Sequence, residues 1–170
     1  MRVQGNIKRV GALAIVAILT ACAMLLTATA SGLPVDKVKA ELKDASLSPA
    51  PLYPTRVPDS VTCCGARVYI EKGNFNVTFI DDDREILAGF GRGSKAMFGR
   101  LKHSLKKADD AKVKRVDIGG QKALFAKTKT TIFYLWRAQN RTYYAVNGVD
   151  NDGADRRDLR TMVATAAPLR

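Results

Sequence analysis

The fold is decided first by residues 66–79, which read ARVYIEKGNFNVTF. Apolar side chains occupy alternate positions on both sides of the turn-forming segment 72–74: Val68, Ile70, Phe75, Val77 and Phe79. Alternation with a period of two is typical of strands that bury one face, and glycine beside asparagine favours a tight turn. Residues 66–79 therefore predict a β-hairpin.

The same alternation recurs further along the chain, and two helical segments interrupt or end it. A third strand is expected over 85–91, where glycines weaken the pattern. Ser94 is a good N-cap for a helix that runs to about Ala111. Four strands are then expected at 114–118, 122–128, 131–138 and 142–147, and Asp155 or a neighbour begins a last helix.

This order of elements, βββαββββα, predicts an α+β fold. We expect a mainly antiparallel sheet of six to seven strands, with two helices, Ser94–Ala111 and Asp155–Ala166, packed on one face. Trp136 and either Phe133 or Tyr134 should contribute to the core, because they lie in the most apolar of the predicted strands.

The N-terminal segment has the pattern of an export signal. Residues 10–30 contain no charged side chain and follow Arg2, Lys8 and Arg9. Basic residues resist translocation while an apolar stretch enters the bilayer, so this order places the rest of the chain outside. We therefore expect an exported protein of bacterial type, secreted or held in the cell envelope.

Three fates of residues 1–30 fit the sequence. Small residues at 28 and 30 suit cleavage of a signal peptide after Ala30, which would make Ser31 the mature N-terminus. Residues 19–22 read LTAC, a lipobox-like sequence in which Cys22 would be lipidated. An uncleaved membrane anchor is the third fate, because 21 helical residues reach about 30 Å, enough to span a bilayer.

Residues 31–58 are expected to lead into the domain. Val35, Val38 and Leu42 recur at helical spacing and predict a short amphipathic helix. Four prolines within 49–58 then favour an extended chain. The predicted organisation is a signal peptide or anchor at 1–30, a short helix and proline-rich lead at 31–58, and an extracytoplasmic α+β domain at 59–170.

A family resemblance rests on five short motifs: Leu52-Tyr53-Pro54, Asp117-Ile118-Gly119-Gly120, Leu135-Trp136, Tyr143-Tyr144 and the closing helix. Residues 50–170 resemble an extracytoplasmic domain of unknown function, found in bacterial exported proteins and outside the membrane helix of some anti-sigma-like regulators. The resemblance implies no catalytic residues. Only nine residues precede the apolar segment, so it does not imply a sigma-binding module there.

The charge distribution supplies the candidate site. The chain carries 28 cations and 16 acids; removal of Arg2, Lys8 and Arg9 leaves 25 cations, a net charge of +9. Residues 86–108 contain no acid and hold the candidate anion-binding residues Arg92, Lys95, Arg100, Lys102, Lys106 and Lys107. A second acid-free stretch, 118–149, adds Lys122, Lys127, Lys129, Arg137 and Arg141. Together they predict one basic surface, although ordinary solvated charges would look the same.

The two adjacent cysteines, Cys63 and Cys64, are candidates for a disulfide or a redox site. Neighbouring Cα atoms lie about 3.8 Å apart, closer than is usual for a disulfide, so a bond between them would be strained. Free thiols or a disulfide to another chain are the alternatives. No Cys-x-x-Cys spacing accompanies them, and His103 is the only histidine, so we expect no metal site, no cofactor and no catalytic residues.

These observations predict a non-enzymatic envelope module that uses its basic face to bind an anionic membrane, a cell-wall polymer or an envelope protein. Nucleic acid is a less fitting partner for an exported chain. The alternative is a sensory or carrier domain that holds an apolar ligand between the sheet and its helices. The sequence does not indicate an oligomeric state.

Overall fold

The alternating segments form antiparallel strands in a computed structural model that describes residues 35–62, 65–80, 83, 85–139, 141–149 and 156–169. Its helices are α1 (Val35–Asp44), α2 (Asp59–Thr62), α3 (Lys95–Lys107) and α4 (Arg156–Ala164). Its strands are β1 (Leu52–Pro54), β2 (Ala66–Glu71), β3 (Asn74–Ile80), β4 (Ile86–Gly93), β5 (Lys112–Ile118), β6 (Gln121–Lys127), β7 (Thr131–Arg137), β8 (Tyr143–Val149) and β9 (Ala166–Pro168).

Seven of these strands form one antiparallel sheet in the order β2-β3-β4-β8-β7-β6-β5. The predicted hairpin is confirmed: Val68 pairs with Val77, and Lys72 and Gly73 turn the chain with φ of 47° and 78°. Two consecutive positive φ values suit a two-residue hairpin loop, because they match the twist of the strands. The predicted α+β class and strand number are likewise confirmed.

Helix α3 begins where the sequence predicts and ends earlier. The Ser94 hydroxyl accepts a hydrogen bond from the Met97 amide at 3.2 Å, as an N-cap does. The helix ends at Lys107, four residues before the predicted Ala111, and Ala108 is its C-cap. A turn follows, because Lys112 already begins the edge strand β5.

The alternation along β7 divides the core into two clusters on opposite faces of the sheet. Ile132, Tyr134 and Trp136 pack with Leu159, Met162 and Val163 of α4; we call this side the α4 face. Phe133 and Leu135 point the other way, since successive side chains alternate. They pack with Phe98, Leu101 and Leu105 of α3, on what we call the α3 face.

The prediction that both helices share one face is therefore not confirmed, since α3 and α4 belong to different clusters. Sequence alternation shows that β7 is apolar on both sides, but it does not say which helix covers which side. The prediction for the core is confirmed, as Phe133, Tyr134 and Trp136 are all buried.

The segment predicted as a lead packs against the α4 face. The predicted amphipathic helix is present as α1, and Val38 and Leu42 are completely buried in the same cluster as Tyr53. Strand β1 pairs with β9 in a small ribbon that the sequence did not predict. The Leu52 amide donates a hydrogen bond to the Tyr144 hydroxyl at 3.0 Å, which ties this ribbon to the central sheet.

No helix within the described ranges is both long and apolar enough to cross a membrane. The apolar stretch 10–30 and Cys22 lie outside those ranges, so the predicted fates of the N-terminal segment stay predictions.

Candidate binding groove

Five of the six candidate cations lie exposed on helix α3, and they divide between two of its sides. Successive helical residues are rotated by about 100°. Lys95, Lys102 and Lys106 therefore form one stripe together with Gly99. Arg100 and Lys107 project about 120° away from that stripe, on the solvent side of the helix. This stripe lies beside the sheet, because Phe98 and Leu105, which are adjacent to it on one side, are buried against the α3 face.

The sixth candidate, Arg92, is not a surface residue: its exposed fraction is 4%. Its position in β4 puts it on the α4 face, opposite to α3, because its strand partner is Tyr144. The guanidinium Nε donates to the Gly73 carbonyl oxygen at 2.8 Å, and Nη2 donates to the same oxygen. Nη1 donates to the Pro49 carbonyl oxygen at 2.6 Å. Arg92 thus holds the β2–β3 turn to the proline-rich segment, and its assignment to the anion-binding surface is wrong.

The sheet contributes three further cations to the α3 face. Arg115 pairs with Leu124 and Leu124 with Leu135, so all three share that face. Lys122 and Arg137 lie two residues from Leu124 and Leu135 in their strands, so they also point to the α3 face. Their strand partners are Asp117 and Tyr143. Lys122 and Arg137 belong to the second acid-free stretch of the sequence and meet the α3 stripe here.

These elements enclose a groove of about 720 Å³ between the N-terminal half of α3 and the corner of the sheet formed by β5, β6 and β7. Its floor is apolar and is formed by Phe98, Leu124, Leu135 and Tyr143. Its rim carries five exposed cations: Lys95, Lys102, Arg115, Lys122 and Arg137. Gly99 lies in the helical wall. We call this site the α3 groove.

The α3 groove is strongly positive. Among the residues described, none of its five cations forms an ion pair with a carboxylate. The single acid in the lining, Asp117, accepts a hydrogen bond from the Gly120 amide at 3.0 Å. The Arg137 guanidinium lies over the Tyr143 ring, with Cζ 5.8 Å from the ring centre. Lysine and arginine remain charged at neutral pH and act as hydrogen-bond donors, so the rim suits an anion.

Sequence reasoning missed Arg115 and the apolar floor. Arg115 lies between Asp110 and Asp117, outside both acid-free stretches, and only the strand register brings it to the groove. Leu124 and Leu135 lie in predicted strands, and nothing in their spacing shows that both line a groove beside α3. Of the six candidate cations only Lys95 and Lys102 line the α3 groove, and Lys122 and Arg137 join them from the second acid-free stretch. The other predicted cations do not: Arg92, Arg100, Lys106, Lys107, Lys127, Lys129 and Arg141.

A smaller cavity, about 350 Å³, lies at the opposite side of β5 and β6. Lys114 and Arg156 approach the Phe125 ring there, with Nζ 5.5 Å and Cζ 5.0 Å from its centre. This cavity has about half the volume of the α3 groove, so the α3 groove has more room for a ligand.

Cys63 and Cys64 lie outside the described residues, and their disulfide or redox role stays a prediction. Over the described part of the chain, no three His, Cys, Asp or Glu side chains come together as metal ligands would. Comparisons of the chain with protein-family models, with curated proteins and with solved structures found no match. The resemblance to an extracytoplasmic domain therefore also stays a prediction.

Proposed function

We propose that this protein is a non-enzymatic binding module of the cell envelope, which contacts an anionic surface or polymer through the cations of the α3 groove. One observation carries the proposal: five cations from one helix and three strands line a single groove, and among the described residues none of them forms an ion pair with a carboxylate. Charges that merely keep a protein soluble are usually interspersed with acids. A concave site with five cations and a single acid, Asp117, instead attracts anions.

A carrier function is the second candidate, and the apolar floor of the α3 groove favours it. Phe98 and Leu135 are each 6% exposed, and they lie beside the half-buried Leu124 and Tyr143. Ligand sites are commonly apolar clefts with a few placed polar groups. This candidate replaces the predicted space between the sheet and both helices with a groove between the sheet and α3 alone.

The first test uses the full chain held in phosphatidylcholine nanodiscs, so that any apolar segment sits in a neutral bilayer. Inorganic polyphosphate serves as the anionic polymer, and calorimetry measures its affinity. We expect the affinity to fall steeply as salt rises, because exposed charges more than about 10 Å apart are largely screened at 0.1 M. Lys102→Glu on the rim, combined with Lys106→Glu one turn further along the same stripe of α3, should weaken binding about tenfold, the effect of roughly 1.4 kcal/mol.

The matched control is Lys39→Glu with Lys43→Glu, which changes the net charge equally at exposed positions of α1 on the α4 face. It should reduce the affinity much less. An equal loss of polyphosphate affinity in the two double variants would contradict the proposal, because the α3 groove would then not be the contact. An affinity that does not change with salt concentration would also contradict it, because the contact would then not be electrostatic.

A further inference from the structure

We propose that the α3 groove binds a single-chain anionic amphiphile, with its acyl chain on the apolar floor and its carboxylate or phosphate against the cationic rim. This inference rests on the proposed function, since it assigns the same rim cations to the head group. It goes further by assigning the apolar floor to the acyl chain.

Two chemistries meet within one groove. An anionic polymer alone needs cations and gains nothing from Phe98, Leu124 and Leu135. An apolar ligand alone gains nothing from the five rim cations. A molecule with one apolar chain and one anionic end satisfies both, because burial of methylenes on the floor is favourable and the rim donates charge-assisted hydrogen bonds to the anionic end.

The strand register places the head group at one end of the α3 groove. Lys122 precedes Ala123, which pairs with Trp136, and Arg137 follows Trp136, so Lys122 and Arg137 are neighbours on the α3 face. The Phe98 and Tyr143 rings lie 5.6 Å apart, which brings the start of α3, including Lys95, to this same end. Arg137, Lys122 and Lys95 thus form the anion-binding end, and the floor leads away from it.

Gly99 is an interior residue of α3 that the fold does not need as glycine. Its φ is not positive, and a Cβ atom added there would meet nothing within 4 Å. Glycine weakens a helix interior compared with alanine, so packing and backbone geometry give no reason for it. Its place in the wall of the α3 groove gives one: the missing side chain keeps the groove wide. The volume of about 720 Å³ suits a small-molecule ligand.

The experiment titrates the full chain in phosphatidylcholine nanodiscs with octanoate, decanoate and dodecanoate, and follows the methyl resonances of Leu124 and Leu135 by NMR. Empty nanodiscs correct for partition into lipid. We expect saturable shifts, and an affinity that rises about two- to fourfold per methylene, because the groove buries the chain on one side only. Decanol, which lacks the charge, should bind about tenfold more weakly than decanoate.

Two variants test the site. Gly99→Leu fills the groove with a good helix former and should lower decanoate affinity at least about tenfold, the effect of losing two to three buried methylenes. Ala96→Leu adds the same side chain to the solvent side of α3, where Ala96 is exposed, and should leave the affinity unchanged. Decanoyl lysophosphatidylglycerol is titrated beside decanoate, and the tighter of the two shows whether a lipid head group or a free fatty acid fits better.

The two proposals can fail separately. Polyphosphate binding without saturable decanoate shifts, or decanoate binding that Gly99→Leu leaves intact, overturns the amphiphile site and leaves the polymer contact standing. Equal affinities for decanol and decanoate also overturn it. Saturable decanoate binding without salt-sensitive polyphosphate binding supports the amphiphile site and overturns the polymer contact.

Discussion

The two faces of the central sheet are covered in different ways. On the α4 face, α1, α2, α4 and β1 pack over a cluster that includes residues of every strand of the sheet. On the α3 face, a single helix packs against residues of β5, β6, β7 and β8, and the described cluster there includes none from β2, β3 or β4. We infer from this difference that the α4 face contributes more to the stability of the fold, whereas the α3 face remains available for binding.

The aromatic residues of the α4 face show where the stability resides. Phe90 is completely buried, and its ring centre lies 5.7 Å from that of Tyr53, 6.0 Å from Trp136 and 6.1 Å from Tyr144. Aromatic pairs at such distances stabilise a core beyond the area they bury. On the α3 face, Phe98 has one such neighbour among the described residues, Tyr143, and lies in the floor of the groove.

The two faces should differ most in what the loss of an aromatic side chain costs. Phe90→Ala should lower the free energy of unfolding by about 3–5 kcal/mol, since it leaves a cavity in a closed cluster. Phe98→Ala should cost about 1–3 kcal/mol, because solvent can reach the space beside the groove. Urea unfolding followed by near-ultraviolet circular dichroism measures both. A cost for Phe98→Ala equal to that for Phe90→Ala would mean that the faces are equally essential to the fold.

The two faces should also differ in the role of their cations, and Arg92 tests this difference. Arg92→Met should cost about 2–3 kcal/mol of stability, because it removes charge-assisted hydrogen bonds and leaves the Gly73 and Pro49 carbonyls without their donor. It should leave polyphosphate affinity nearly unchanged. Lys102→Met is the matched variant, with the same loss of one positive charge, and should show the reverse pattern. If Arg92→Met weakens polyphosphate binding as much as Lys102→Met without loss of stability, the division between the faces is wrong.

The outcome for Arg92 shows what sequence reasoning could and could not predict here. Local patterns were sufficient for the hairpin at 66–79, for the Ser94 cap and for the strand number, because each depends on neighbours in the chain. Which face a helix covers depends on contacts between distant residues. The six cations of 86–108 were treated as one group, yet strand alternation sends Arg92 to one face while α3 carries the other five on the opposite side.

The missed β1–β9 ribbon has a similar cause. Leu52-Tyr53-Pro54 lacks the length and alternation of a strand, and prolines argue against a central one. Its partner, 166–168, lies more than 100 residues later. Tyr53 and Leu52 are buried where β1 meets β9, Tyr144 and the cluster that includes α1, which no local pattern shows.

Tyr53 tests how completely the α4 face excludes water. The Tyr53 hydroxyl is buried and has no hydrogen-bond partner among the described residues. A buried polar group without a partner is costly. Tyr53→Phe should therefore leave stability unchanged at pH 7 or raise it by up to about 1 kcal/mol. Thermal unfolding of the parent and the variant at matched pH measures this difference.

The difference should also depend on pH. Burial raises the pKa of the Tyr53 hydroxyl well above its usual value, which is about 10 in an unfolded chain. Above that pH the unfolded state has lost this proton and the folded state still holds it, so the contribution of Tyr53 to stability falls as pH rises. Since phenylalanine has no such proton, the advantage of Tyr53→Phe should grow above pH 10 by up to about 1.4 kcal/mol per unit. Parallel stability curves for the two proteins between pH 9 and 11 would show that the hydroxyl is solvated, and would mean that the α4 face is less tightly closed at Tyr53 than its packing indicates.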